Sequence, residues 1–451
     1  MRTVFRYDPT AACFEETGKT ITMWTLLIPM LFETIFRLMY GTANALVLSG
    51  YSQEAVSAVS VSDQLRSIAM VLLSMITKGA TVTASVAIGS QNRDRAACIS
   101  GTGMVLMAGF GVLCGMVLSV GSGFFLHLMN LQGDMYFIAV QYLAVAGLFL
   151  PVSVLLSYIN NLLITNGYAK CTMLVGIAGN VLSVVFSWLA LYSGISLPVS
   201  GVCAVALVTG ISQVLCLFVS ALFFWVKQCP FRWIFRKMYA CSILRMGVPS
   251  GMANLSYILS QAVTTSFVAP LGYTVINAKV YVSNITNYIS NISMAIGNAN
   301  AVLMGRHRGA KNLDKIQSLF RQNVWIVILC NLLLSLLCFS LRDILIGLFT
   351  KEAVIISAAT SILLIDVALE MGRGINHIAE GSLNANGDVW TTLIVSVFCC
   401  WASSVLLGYV LCVKVGWGLT GLWLAFAADE LIRGVIYLQR WRRGKWKHIE
   451  I

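Results

Sequence analysis

Apolar residues in this chain come in long unbroken blocks, not in the period-two alternation of a half-buried strand. Twelve such blocks lie near 20–48, 56–88, 97–121, 136–163, 171–193, 201–226, 245–270, 274–304, 320–341, 353–384, 391–412 and 420–439. About 20 apolar residues are enough to carry a helix across a bilayer. The pattern therefore predicts an all-α polytopic membrane protein with 12 transmembrane helices. The second, eighth and tenth blocks are long enough to tilt or to project beyond the hydrocarbon.

Composition agrees: 58% of the residues are hydrophobic, 11% are charged, and mean hydropathy is +0.83. Soluble domains carry about 25% charged residues. The net charge of +12 does not point to nucleic acid, because the basic residues lie in the gaps between apolar blocks. Odd-numbered gaps hold only Arg342, Lys351 and Lys414, whereas the even-numbered gaps and both ends hold the basic clusters. By the positive-inside tendency both termini are expected in the cytoplasm, with the chain multi-pass in the plasma (inner) membrane. The first 19 residues include Asp8, Glu15 and Glu16 and lack a short apolar core with a cleavage site, so no removable signal peptide is expected. The 13 cysteines are scattered without ligand spacing and read as small buried hydrophobes.

A shift of 220 residues brings separate anchors into register. Pro29 meets Pro249; Gly89, Asn92 and Asp94 meet Gly309, Asn312 and Asp314; Asn166-Gly167 meets Asn386-Gly387; Gly201 meets Gly421. Duplication of a six-span unit follows. An even number of spans per unit gives two six-helix lobes related by a pseudo-two-fold along the membrane normal. The expected boundaries are a cytoplasmic segment 1–19, lobes 20–226 and 245–439, a linker 227–244 and a basic tail 440–451. In the linker, Phe231, Trp233 and Phe235 alternate with Arg232, Arg236 and Lys237, a composition suited to lipid headgroups or to a merely solvated basic loop.

No HExxH, GxSxG or GxxxxGK[ST] motif is present, so neither an enzyme nor direct drive by ATP is expected. Charges inside the spans therefore carry the interest, since each is costly in the bilayer. Glu33 and Arg37 share a helix face at i, i+4, as a structural ion pair, around a proton- or cation-responsive carboxylate, or at a position near the membrane edge. Their repeat equivalents are Ala253 and Tyr257, so the lobe does not demand those charges. Glu370 and Arg373 in the tenth span correspond to Leu150 and Ser153, and Asn376, His377 and Glu380 follow them. Asp429, Glu430 and Arg433 read as a packing network, while Lys78 and Lys279 read as snorkelling side chains. Uncharged cavity candidates are Tyr40, Gln64, Asn180, Ser183, Ser187, Tyr257, Tyr281, Asn284 and Asn287, any of which could equally be helix–helix glue.

Over nearly its whole length the chain resembles the multidrug and toxic compound extrusion (MATE) family. The resemblance rests on IPMLFETIFRLMYGTANALVLSGYS, AVSAVSVSDQL and VAIGSQNRDRA in the first half. In the second it rests on RMGVPSGMANLSYILSQAVTTSFVAPLG, MGRHRGAKNLDK and EMGRGINHIAEGSLNANGDVW. It implies export of amphipathic or cationic organic compounds by alternating access, driven by a sodium or proton gradient and needing no cofactor. Small organic substrates and membrane lipids are then the partners, with a monomer as the working unit. Asn44 stands where many members of the family have an aspartate; Tyr257 and Arg373 also stand at acidic positions. Ion coupling is then expected at Glu33, Asn44, Gln64 and Asn180, with a possible sodium cage at Glu33, Asn44 and Asn180. The substrate cavity is expected to include Arg37, Tyr40, Tyr257, Tyr281, Asn284, Glu370, Arg373 and Asn376. A flippase for a lipid-linked precursor, or a non-transporting receptor or assembly protein, are the alternatives.

Overall fold

The computed structural model describes residues 13–16, 19–129, 131, 133–192 and 201–449. Most of the expected segment 1–19, and the last two residues of the expected tail, lie outside them. A two-stranded antiparallel hairpin, β1 (Cys13–Glu16) and β2 (Lys19–Thr22), precedes α1 (Met23–Ser49). Then follow α2 (Gln53–Gly89), α3 (Arg93–Val120), the short α4 (Ser122–Leu128), α5 (Gly133–Leu148), α6 (Leu150–Thr165), α7 (Ala169–Tyr192) and α8 (Val202–Val226). The second half runs through α9 (Lys237–Val268), α10 (Tyr273–Gly309), α11 (Leu313–Ser340), the short α12 (Arg342–Gly347), α13 (Ala353–Ala385), α14 (Val389–Cys399) and α15 (Gly418–Arg442).

The duplication is visible in element ends. Helices α2 and α10, and α3 and α11, begin and end at positions 220 residues apart. The turns between them match as well: Gln91 and Lys311 both take the left-handed conformation, with φ of 58° and 59°. Gly167 and Gly387, after the equivalent Asn residues, have φ of 81° and 89°. Such angles strain any side chain with a Cβ.

Each of the 12 predicted spans has a helical counterpart, but two are not simple rods. The fourth is the pair α5–α6, bent by 47° at Phe149 with Pro151 in the first turn of α6. A proline there forfeits no helical bond. The eleventh begins as α14 and widens into π-helical stretches at Cys400–Leu407 and Val410–Lys414. Among the described residues, eight helices are apolar and long enough to cross a membrane, nine with the bent pair counted as one span. The other three, α9, α10 and α15, exceed the bilayer in length at 1.5 Å per residue. Their Ser, Asn and charged residues make them less apolar than the others.

The chain forms two compact units. One comprises 24–88 and 92–248; the other comprises 249–449, the hairpin before α1 and 89–91. In the first, a core of Leu73, Ile76, Ala80, Ala84, Met107, Val154, Tyr158 and Leu162 ties α2, α3 and α6 together. Small residues allow the close approaches that lipid-embedded helices need. A Cβ on Gly79 would lie 2.0 Å from the Ile243 carbonyl oxygen, and one on Gly247 would lie 1.9 Å from that of Met75. In the second unit, Val282, Ile285, Ile362, Leu369, Leu422, Trp423 and Phe426 pack α10, α13 and α15. Beyond α15, Trp446 is fully buried against Trp441, and Arg308 donates to the carbonyls of Lys447 and Ile449.

Candidate ion-coupling and substrate site

In the first unit α1 and α7 lie alongside each other in one constant register. A Cβ on Gly176 would approach Glu33 Cγ to 3.1 Å; Tyr40 and Ser183 share a hydrogen bond of 3.1 Å; Tyr192 donates to the Val47 carbonyl at 3.0 Å. That register sets Asn180 level with Arg37 and Ser187 level with Asn44. Because α1 is one continuous helix, Glu33 and Asn44 are separated by about 16 Å along its axis. One ion cannot touch both, so the possible sodium cage of Glu33, Asn44 and Asn180 does not exist as a single site. Glu33 is seated against α7, whereas Arg37 and Gln64 are exposed. Arg37 still acts on Glu33 electrostatically, and Asp63 and Arg66 form an ion pair at 3.0 Å on α2. Asn44 Oδ1 and Ser187 Oγ are both buried without a hydrogen-bond partner.

The second unit assembles a denser set. Arg373 pairs with Glu370 on its own helix and reaches Glu430 Oε1 on α15 at 3.5 Å. Arg433 pairs with Asp429 and lies 3.5 Å from the same Glu430 oxygen. Asn376 bridges α13 to α15 by donating to the Glu430 carbonyl at 2.8 Å and to its carboxylate at 2.6 Å. Tyr257 of α9 faces the four charged groups Glu370, Arg373, Glu430 and Arg433. Asp366, one turn before Glu370, accepts from Trp423 Nε1 at 3.1 Å and also feels Arg373. Glu380 and His377 continue the polar face of α13.

All of these charges are withdrawn from the surface, from 0% exposure for Glu370 to 7% for Arg433, with the Arg373 side chain at 16%. Gly372 permits the contact, since a Cβ there would lie 3.0 Å from the Glu430 backbone carbon. The π-helical widening after α14 lies beside the network: Ser404 donates to Asp429 at 3.1 Å. A second layer of amides supports it, with Asn331 donating to the Glu370 carbonyl at 2.6 Å and accepting from Ser293 at 2.6 Å.

Four carboxylates, Asp366, Glu370, Asp429 and Glu430, thus surround two guanidinium groups. Three oxygens of the set have no donor: Glu370 Oε2, Asp429 Oδ1 and Asn376 Oδ1. Buried unpaired acceptors of this kind are expensive and rare, and a proton or cation would satisfy them.

Of the residues singled out from sequence, Tyr257, Glu370, Arg373 and Asn376 come together. Tyr281 stacks on Phe349 at 5.1 Å, and Asn284 is exposed. The set Asp429, Glu430 and Arg433, expected as a packing or interface network, is joined to Arg373 through Glu430. Lys279 does not snorkel; it is 9% exposed and donates to Thr265 at 2.7 Å. Asp366 was missed by sequence reasoning. Its signal was a lone carboxylate within ILLIDVALE.

Comparison with known proteins accounts for the doubled architecture. The MatE family model matches residues 29–189 and again 249–410, starting at the two repeat-equivalent prolines. The transporter YisQ of Bacillus subtilis is 30% identical, with 95% of each chain covered. The probable multidrug resistance protein NorM of Thermotoga maritima is 22% identical over 94% of this chain and 92% of its own. Among solved structures, a multidrug resistance MATE family transporter in its outward-facing conformation superposes with a TM-score of 0.87 at 19% identity, covering 95% of this chain and 96% of its own. The Vibrio cholerae MATE transporter VcmN gives 0.87 at 17%, covering 95% and 98%. With both halves matched in the same register, the chain belongs to the MatE family of membrane transporters.

Proposed function

We propose that this protein exports amphipathic organic cations by alternating access in exchange for protons, with the carboxylates of α13 and α15 as the coupling groups. The observation that carries the reading is the excess of four buried carboxylates over two guanidinium groups, with an unpartnered oxygen on both Glu370 and Asp429. A membrane-embedded excess of negative charge attracts a cation, whether a proton or an organic ammonium, and it is costly to leave uncompensated. Proton and drug then compete for the same charge, which is the logic of exchange. The carboxylates already engaged by Arg373 and Arg433 suit a proton better than sodium, because a proton needs one oxygen and no coordination shell.

The positive-inside pattern supports cytoplasmic termini in the plasma membrane, and the two units in one chain support a monomer as the working unit. The test is transport of a fluorescent organic cation in proteoliposomes given either a proton or a sodium gradient alone. The proton gradient is expected to drive the parent, and Glu370→Gln with Asp429→Asn to abolish that drive while leaving the protein folded. Undiminished transport in the double variant would remove this site from coupling and return attention to Glu33. Drive by sodium alone would reassign the ion.

A further inference from the structure

The segment between α8 and α9 is held in a way that a free tether would not be. Residues 229–236 have no regular structure, yet their backbone is fastened across α3. The Arg232 N–H donates to the Ala97 carbonyl at 3.2 Å, Thr102 Oγ1 donates to the Ile234 carbonyl at 3.1 Å, and the Arg236 N–H donates to Thr102 Oγ1 at 3.3 Å. Gly101 makes the approach possible, because a Cβ there would lie 1.8 Å from the Arg232 carbonyl oxygen. Phe231 turns inward, edge-on to Phe224 at 6.0 Å. The opposite edge stays uncovered: Trp233 is 76% exposed, Phe235 53% and Met238 64%, with Arg232, Arg236 and Lys237 exposed beside them.

We propose that this edge is a binding strip for anionic phospholipid, with Trp233 and Phe235 at the headgroup–acyl boundary and Arg232, Arg236 and Lys237 on the lipid phosphates. Three features choose a bilayer over a protein partner. The strip joins the ends of two spans, α8 and α9, so it lies at the membrane surface by construction. Two of its three exposed large apolar side chains, Trp233 and Phe235, are aromatic, the type enriched at that depth. From 227 to 244 there is no Asp or Glu, so every formal charge is complementary to phosphate. Fastening the backbone beforehand lowers the ordering cost of binding. The first unit would therefore carry its own anchor to one leaflet, independently of any transport activity.

The test uses the full chain in phosphatidylcholine vesicles containing phosphatidylglycerol, with bromine on the acyl chains of one lipid or the other. Because the chain has 11 tryptophans, the share of Trp233 is read as the difference between the parent and Trp233→Phe. That share should be quenched by both lipids, and more strongly by brominated phosphatidylglycerol. In Arg232→Gln/Arg236→Gln/Lys237→Gln the two lipids should quench alike, local anionic-lipid enrichment falling about fivefold per removed charge. Should that variant not fold, the parent in 1 M salt, where the screening length is about 3 Å, should show the same loss. The proposal is overturned if Trp233 is quenched by neither lipid, or by both equally in the parent at low salt. It is also overturned if soluble glycerol phosphate removes the preference, which would mark a small-phosphate site, or if an acidic protein segment protects Trp233 in place of lipid.

Discussion

The same helix crossing is built twice in this molecule and filled in two ways. In the first unit α6 meets α8 through the Phe149 ring, which lies over Gly210 so closely that a Cβ there would come within 2.3 Å of it. A neutral hydrogen bond from Ser153 to Gln213, at 2.5 Å, completes the contact. In the second unit the equivalent positions on α13 and α15 are Leu369, Arg373, Glu430 and Arg433, and the crossing becomes an ion network. The backbone differs at the same level. Glu370 stands on an unbroken α13, whereas its counterpart Leu150 opens a new helix after the 47° bend. Likewise α7 is regular where α14 widens into π-helix beside Asp429. One fold accepts both fillings, so the charges are not what the crossing needs in order to form.

That conclusion is easiest to break by removing the whole network at once. Replacing it with uncharged side chains of similar bulk, as Asp366→Asn, Glu370→Leu, Arg373→Met, Asp429→Leu, Glu430→Leu and Arg433→Met, should leave a folded protein with no ion-driven transport. Buried ion clusters replaced by apolar residues are often neutral or stabilising. Asn376 would keep its bond to the backbone carbonyl at 430. Thermal unfolding in detergent should show a midpoint no lower than the parent's, and proteoliposome efflux should fall to that of protein-free vesicles. Failure to fold would make the charges architectural; continued transport would make them idle.

Removing one cation alone should do the opposite to stability. Arg433→Gln installs the residue that the first unit uses, but it leaves the buried Asp429 without its guanidinium partner, while Glu430 keeps Arg373. A loss of about 3–5 kcal/mol is expected from an unpaired buried charge. Equilibrium unfolding compared with the combined variant would reveal it; if the single change costs less than the combined one, the network is not acting as a unit.

A smaller effect should come from Gly372→Val, which installs the first unit's Val152. The new Cβ would lie 3.0 Å from the Glu430 backbone carbon, so α13 and α15 must move apart by a few tenths of an ångström. Overpacking of this kind costs about 1–3 kcal/mol. Because the shift also lengthens the 3.5 Å contact of Arg373 with Glu430, transport should slow more than stability alone accounts for. Unfolding and efflux measured on one preparation separate the two effects.

What could be read in the sequence divides along the same line as the two crossings. Span count and duplication were legible because hydropathy and anchor spacing are local or strictly periodic signals. The Glu370–Arg373 and Asp429–Arg433 pairs were legible for the same reason, lying one helical turn apart. Their union was not, since it depends on Glu430 lying 3.5 Å from an arginine 57 residues earlier. Asp366 escaped notice because its partner, Trp423, is equally distant in sequence. Proline alone does not mark a break here: Pro29 and Pro249 sit inside continuous helices, while Pro151 follows a real one. The difference lies in packing. Gly111 and Gly115 on α3 make room for the Pro151 ring, and no residue of the fourth span announces that.

The least disruptive change tests the neutral crossing itself. Gln213→Leu removes the acceptor of the Ser153 hydroxyl, but that hydroxyl retains the Phe149 carbonyl at 3.2 Å. No buried donor is orphaned, so the cost should be about 1 kcal/mol or less. Efflux should be unchanged, in contrast with Arg433→Gln at the matching position of the other unit. Stability and transport measured side by side for the two variants therefore isolate the charge from the geometry they share. If Gln213→Leu also stopped transport, the uncharged crossing would be part of the working site, and the separation between a structural unit and a coupling unit would fail.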